Sequence, residues 1–121
     1  MVSDHEIVQN TLSGMHLDRT KFNILLSHRP ELIDAYAKMD AYAKYGYDLV
    51  FTGHAHGGQF RISFIGGFFA PDQGYYPKYI SGIYLSGNTL EIVNRGLGNS
   101  IILPRIFNNP EIITCKLRHM Q

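Results

Sequence analysis

Two histidines in a glycine-rich run are the residues of this chain best placed to do chemistry. They stand in Thr52-Gly53-His54-Ala55-His56-Gly57-Gly58-Gln59. The residues just before them, 48–52 (Asp-Leu-Val-Phe-Thr), read as a buried strand. In an open α/β sheet, ligands collect beyond the carboxyl ends of the strands. Imidazole nitrogens bind zinc, iron, manganese and nickel, and two of them at i and i+2 in a turn aim at neighbouring points. Gly53, Gly57 and Gly58 let the main chain come close to an ion or a phosphate. A metal site is therefore the reading for His54 and His56, with Gln59 ordering the loop or contacting substrate. A third histidine, His28, is similarly placed. It follows a predicted buried strand over residues 22–27 and precedes a helix with Pro30 in its first turn and Glu31 at its positive end. Alone, His28 serves equally well as a helix-start residue bonded to backbone. Should the two strands be neighbours, all three histidines emerge at one sheet edge.

A short series of elements carries these residues. Residues 5–17 suggest a helix with Ile7, Val8, Leu12 and Met15 roughly on one face. Strand, helix and strand then come between residues 22 and 52, with Gly46 as the helix stop. That spacing predicts a βαβ crossover and parallel pairing. Within the helix, Asp34-Ala35-Tyr36-Ala37-Lys38-Met39 is repeated nearly unchanged as Asp40-Ala41-Tyr42-Ala43-Lys44-Tyr45. Six residues make about 1.7 helical turns, so the duplication lengthens one helix and rotates the chain downstream of it. It serves as a surface extension or as a partner-binding element. Beyond Gly58 lies a long aromatic loop. Segments 81–86 and 89–94 then form a hairpin around Gly87-Asn88, and residues 111–117 suggest a closing strand. The expected fold class is α/β.

Composition narrows the function classes. In 121 residues, 45% are apolar and 17% charged, and the formal net charge is +1. This describes one ordinary globular domain. So small a charge, with no basic block, argues against a nucleic-acid partner. No segment approaches the roughly 18 apolar residues of a membrane span, and residues 1–10 lack the marks of a signal peptide. The location implied is cytoplasmic or membrane-peripheral. Cys115 is the single cysteine, compatible with a reducing compartment.

The motifs, taken together, resemble the calcineurin-like metallophosphoesterases. His28-Arg29-Pro30-Glu31 and Gly53-His54-Ala55-His56-Gly57-Gly58-Gln59 match the last two metal motifs of that superfamily. Phe60-Arg61-Ile62, Ala70-Pro71-Asp72-Gln73-Gly74 and Arg95-Gly96-Leu97-Gly98-Asn99-Ser100 are similar to one bacterial branch of it. The likeness runs from about Phe22 to Leu117. It implies the C-terminal portion of a layered α/β/β/α sandwich, with residues 1–121 as a single partial domain. It implies two divalent transition metals (manganese, iron, zinc or nickel) about 3.5–4 Å apart, activating a nucleophile for in-line attack on phosphorus. His28 and His54 match ligands of one metal and His56 a ligand of the other. The substrate implied is a phosphate-containing small molecule or a lipid-like one, bound in part by Arg95, which serves equally as a loop brace.

The departures from the family pattern are substantial. Its Asp-x-His, Gly-Asp-x-x-Asp and Gly-Asn-His-Glu/Asp motifs are missing from this sequence. Asp4 and His5 are adjacent, and Gly87-Asn88 and Gly98-Asn99 are followed by Thr89 and Ser100. The bridging carboxylate and the candidate general acid are therefore absent, and so are about half of the sheets. The expectation is an incomplete hydrolase that self-associates or takes an N-terminal half as partner. A non-catalytic metal-binding or assembly module is the alternative. The histidine motifs also lie about six residues further apart than is usual in this branch, which matches the duplication. His5, His16 and His119 are read as surface histidines, and the aromatics of residues 68–84 as core or as a substrate groove.

Overall fold

The computed structural model describes residues 4–28, 30, 45–58, 61–62, 66–67, 69–70, 74–75, 79–98 and 104–119. In chain order these contain helix α1 (Asp4–Gly14), strands β1 (Ile24–Leu26) and β2 (Leu49–Thr52), and a short 3-10 turn at His56–Gly58. The short strands β3 (Arg61–Ile62), β4 (Gly66–Gly67), β5 (Phe69–Ala70) and β6 (Gly74–Tyr75) come next, then β7 (Gly82–Ser86) and β8 (Thr89–Val93). One mixed sheet has the order β1-β2-β8-β7. β1 runs parallel to β2, with Ile24 opposite Leu49, and β2 runs parallel to β8, with Leu49 opposite Leu90. β3 and β4 form a small antiparallel pair, as do β5 and β6. The fold is α/β, and the parallel pairing expected for the βαβ unit is present. Residues 31–44, which hold the rest of the expected crossover helix and most of the tandem duplication, lie outside the described residues. Gly46 takes φ 89 directly after helical Tyr45, as a helix stop requires.

Burial differs sharply among the strands. Leu49 is 2% exposed, and Val50 and Val93 are fully buried, as central strands with both faces covered demand. β1 corrects the expectation of a buried strand over residues 22–27. It occupies the edge of the sheet, and its Leu26 is 79% exposed. An apolar run has the same pattern at an edge as in the interior, so only its neighbours decide its burial.

Helix α1 covers part of the sheet by packing Leu12 against Tyr47 and Val50, with Val8, Leu17, Leu25, Tyr45 and Tyr84 around them. Tyr47 also donates its hydroxyl to Met15 Sδ at 3.0 Å, and burial raises its pKa. The helix stops at Gly14, short of the expected residue 17. Thr11 and Ser13 turn their hydroxyls back onto the carbonyls of Ile7 and Asn10, which weakens a helix end, and Gly14 lowers its propensity further. Polar ties lace the strand starts together. Asn23 N–H donates to Asp48 Oδ2 at 2.7 Å, and Thr89 Oγ1 donates to Tyr47 O at 2.7 Å.

The hairpin is as expected. β7 and β8 pair antiparallel from Gly82 opposite Val93 to Ser86 opposite Thr89. Gly87 has φ 55 while Asn88 stays at negative φ, the arrangement of a type II′ turn. Residues 111–117 correct a second expectation, for they form no strand. Their apolar-polar alternation suits a pleat, but a strand also needs a hydrogen-bonding neighbour. Glu111 N–H bonds to Gly96 O at 3.0 Å, a loop carbonyl rather than one in a strand. Among the described residues no helix is long and apolar enough to cross a membrane.

Candidate functional site

The ends of β1 and β2 bring two of the three candidate histidines together. Because the strands are adjacent and parallel, the chain leaves both at the same sheet edge. Ser27 N–H bonds to Phe51 O at 2.9 Å, and Gly53 N–H bonds to His28 O at 3.3 Å. The rings of His28 and His54 then lie with centroids 4.5 Å apart and planes inclined by 54°. Two imidazoles on one ion, at metal–nitrogen distances of about 2.0–2.1 Å, hold their centroids roughly 4.5 Å apart when the ligands subtend a right angle and roughly 5.2 Å apart at a tetrahedral angle. The pair thus fits two ligands of a single ion. Among the described residues, however, no three His, Cys, Asp or Glu side chains are grouped so as to hold a metal. The donor set falls short of a closed site and brings no carboxylate.

Backbone strain marks the same turn. His54 has φ 64 and His56 φ 47, followed by Gly57 at 67 and Gly58 at 76. Ala55 N–H closes a three-residue turn onto Gly53 O at 2.7 Å with His54 at its centre. Such a turn with positive φ is rare and strained. Each non-glycine residue held there costs about 1–3 kcal/mol and persists only where the surroundings enforce it. The enforcement is visible. Ala55 is fully buried beside Ile80. Gly58 N–H bonds to Ala55 O at 2.7 Å, and Arg61 Nη1 donates to Gly57 O at 3.2 Å. A Cβ on Gly58 would stand 2.6 Å from Gly67 Cα, and one on Gly57 would stand 2.4 Å from Asn108 Oδ1. Only glycine fits at either position.

His56 turns toward a different part of the chain. Its Nδ1 lies 3.1 Å from the carbonyl oxygen of Gly98, while Asn108 Nδ2 donates to the His56 carbonyl. Arg95 is engaged by Glu111 through its backbone N–H (3.2 Å) and through Nη2 (3.0 Å). This is the bracing geometry weighed beside a substrate contact. Burial pushes the Glu111 carboxyl up, but hydrogen bonds from the Arg95 side chain and backbone, with the charges of Arg95 and Arg61, bring it below its ordinary value of 4.5. Gln59 lies outside the described residues. His16 and His119 are exposed, as expected of surface histidines. Tyr79 is buried in edge contact with Tyr84, at 4.9 Å and 75°.

Sequence reasoning missed three residues here. Arg105 donates from Nε to Gly98 O at 2.8 Å and from Nη2 to the carbonyls of Arg95 and Gly96. Burial and the nearby charge of Arg95 lower its pKa. Asn108 holds His56 from 52 residues away. Glu91, fully buried in β8, accepts at 2.9 Å from Oγ1 of Thr52, the residue two positions before His54. None of the three sits in a motif. Only the ordering of the final segment, which composition does not reveal, would have pointed to Arg105 and Asn108.

The chain has a metallophosphoesterase-named relative. It is 38% identical over 110 residues to the uncharacterized metallophosphoesterase YkuE of Bacillus subtilis (strain 168), covering 91% of this chain and 35% of that protein. It is 32% identical over 95 residues to the uncharacterized protein YpbG of the same organism, covering 78% of this chain and 31% of that protein. The chain therefore spans about a third of the length of both relatives. No family profile matches it, and no solved structure matches it significantly. The first similarity supports a partial, metallophosphoesterase-like relative, in agreement with the likeness drawn from the motifs.

Proposed function

We propose that this chain is the C-terminal part of a metal-dependent phosphoesterase. In this reading His28 and His54 ligate one divalent ion, and His56 ligates a second. The 4.5 Å pairing of the His28 and His54 rings at adjacent strand ends carries the reading, and the named relative supports it. The metals, when bound, would supply the positive charge that polarises a phosphoryl group and activates water. The residues of this chain would hold them from the strained turn, with neutral nitrogen donors that leave the metal charge largely uncompensated. The bridging carboxylate would come from the N-terminal half of a layered α/β/β/α sandwich, in the same polypeptide or a separate one. That half would pack against the exposed β1 edge, since an unpaired edge strand templates further pairing.

Manganese titration, with turnover of a generic aryl phosphodiester, tests this. The chain alone is expected to bind manganese weakly through His28 and His54 and to turn over negligibly. His54→Ala should abolish that binding. Retention of full manganese affinity in both His54→Ala and His28→Ala would overturn the assignment.

A further inference from the structure

We propose that Arg105 and Asn108 are positioning residues that set the tautomer and the aim of the His56 ring, so that Nε2 is the nitrogen offered to a ligand. This deepens the phosphoesterase reading and rests on it only for the identity of that ligand. A carbonyl oxygen has no proton to give, so the 3.1 Å contact between His56 Nδ1 and Gly98 O requires the proton on Nδ1. In the neutral ring the lone pair is then on Nε2. This is the arrangement in which metal-binding imidazoles are usually held, with the second ring N–H donated to a carbonyl or carboxylate.

The Gly98 carbonyl is itself held in place. Arg105 Nε donates to the same oxygen at 2.8 Å, and its Nη2 reaches back to the carbonyls of Arg95 and Gly96. One planar guanidinium thus gathers three carbonyls of the 95–98 loop, a task its fixed fork of donors suits and an ammonium does not. Asn108 holds the other side of the residue, donating Nδ2 to the His56 carbonyl where the backbone sits at φ 47. The close fit of Gly57 under Asn108 and Arg95 leaves the turn no room to relax. The irregular segment carrying residues 105–111 therefore works as a clamp on the histidine turn, closed at Glu111 by the ion pair with Arg95.

The test is the tautomer of His56 in the full chain without metal. It is read from long-range proton–nitrogen correlation on nitrogen-15-labelled histidine, at a pH where the ring is neutral. The His56 signals are assigned by their loss in His56→Gln. The expected result is the Nδ1–H form in the parent chain. Arg105→Met should shift it toward Nε2–H, the form a free side chain prefers in water. Arg105→Lys, which keeps the charge but not the fork, should give an intermediate mixture and guards against a variant that fails to fold. Asn108→Asp should broaden or mix the signals. An Nε2–H form in the parent chain, or an unchanged tautomer in folded Arg105→Met and Arg105→Lys, would overturn the inference. The tautomer outcome stands whether or not metal binds, so failure of the phosphoesterase reading would show separately, as absent manganese binding with the tautomer as expected.

Discussion

The sheet and the histidine turn are neighbours held by opposite means. β2 and β8 are regular and central, and their stability is shared among many contacts, most of them apolar beside the buried Thr52, Thr89 and Glu91. The turn from Gly53 to Gly58 has four positive φ angles, two of them on histidines. It is fixed by single contacts with residues about 40–50 positions further along the chain. The sheet provides the place where the histidines emerge, and the clamp provides their aim. Loss of a sheet residue should therefore cost stability, whereas loss of a clamp residue should cost geometry first.

The largest expected effect lies in the sheet. Leu49→Ala should destabilise the chain by about 2–5 kcal/mol, as large-to-small changes in a packed core do. Leu26→Ala on the exposed edge should change stability by less than about 0.5 kcal/mol. Denaturant titration of both variants checks this, and equal losses would show that β1 is as buried as β2. Next comes Gly57→Ala, which places a Cβ where Asn108 Oδ1 and the Arg95 stem already stand. It should cost about 1–3 kcal/mol through strain at positive φ. It should also weaken manganese binding more than Leu26→Ala does, and a thermal melt paired with metal titration would separate the two costs.

Much of the sheet was legible because its signals are local. The run of residues 48–52, the Gly87-Asn88 turn and the Gly46 stop each depend on a few adjacent residues. The placement of His28 and His54 at strand ends was legible for the same reason. The edge position of β1 was not, since Ile24 and Leu26 have the same types as buried residues and only the missing neighbour exposes them. Residues 111–117 alternate like a strand, yet no strand lies beside them among the described residues. Glu91 was hidden by its type: a carboxylate within a strand ordinarily faces water, and here Thr52 helps keep it inside. Arg105 and Asn108 act across long sequence separations, where no spacing rule operates.

The smallest effect expected is in the clamp at low pH. Glu111 has a folded-state pKa below its ordinary 4.5. The stability it contributes is therefore fully present above that ordinary value and is lost as pH falls through the lowered one. Stability of the parent chain should decline through that acid window by a margin that Glu111→Gln removes. Thermal melts from neutral to acid pH would show it, and identical pH profiles for the two proteins would rule it out.

The parallel pairing of β1, β2 and β8 has a consequence in time. The hairpin of β7 and β8 closes only a two-residue turn, whereas the register of Leu49 with Leu90 must close a loop of about forty residues. Chains dominated by such distant pairings fold slowly. On loop entropy alone the hairpin forms first, β1 and β2 pair next across the roughly 25 residues from Ile24 to Leu49, and β2 then docks on β8. Pulsed hydrogen exchange should accordingly protect the paired amides of Tyr84 and Glu91 first, then Leu25, and last Leu90, whose N–H bonds to Asp48 O; simultaneous protection would contradict this order. The two imidazoles of His28 and His54 meet only when β1 has docked. The candidate metal pair is thus a clock hand for the pairing of β1 with β2, the step between the hairpin and the closing of the sheet.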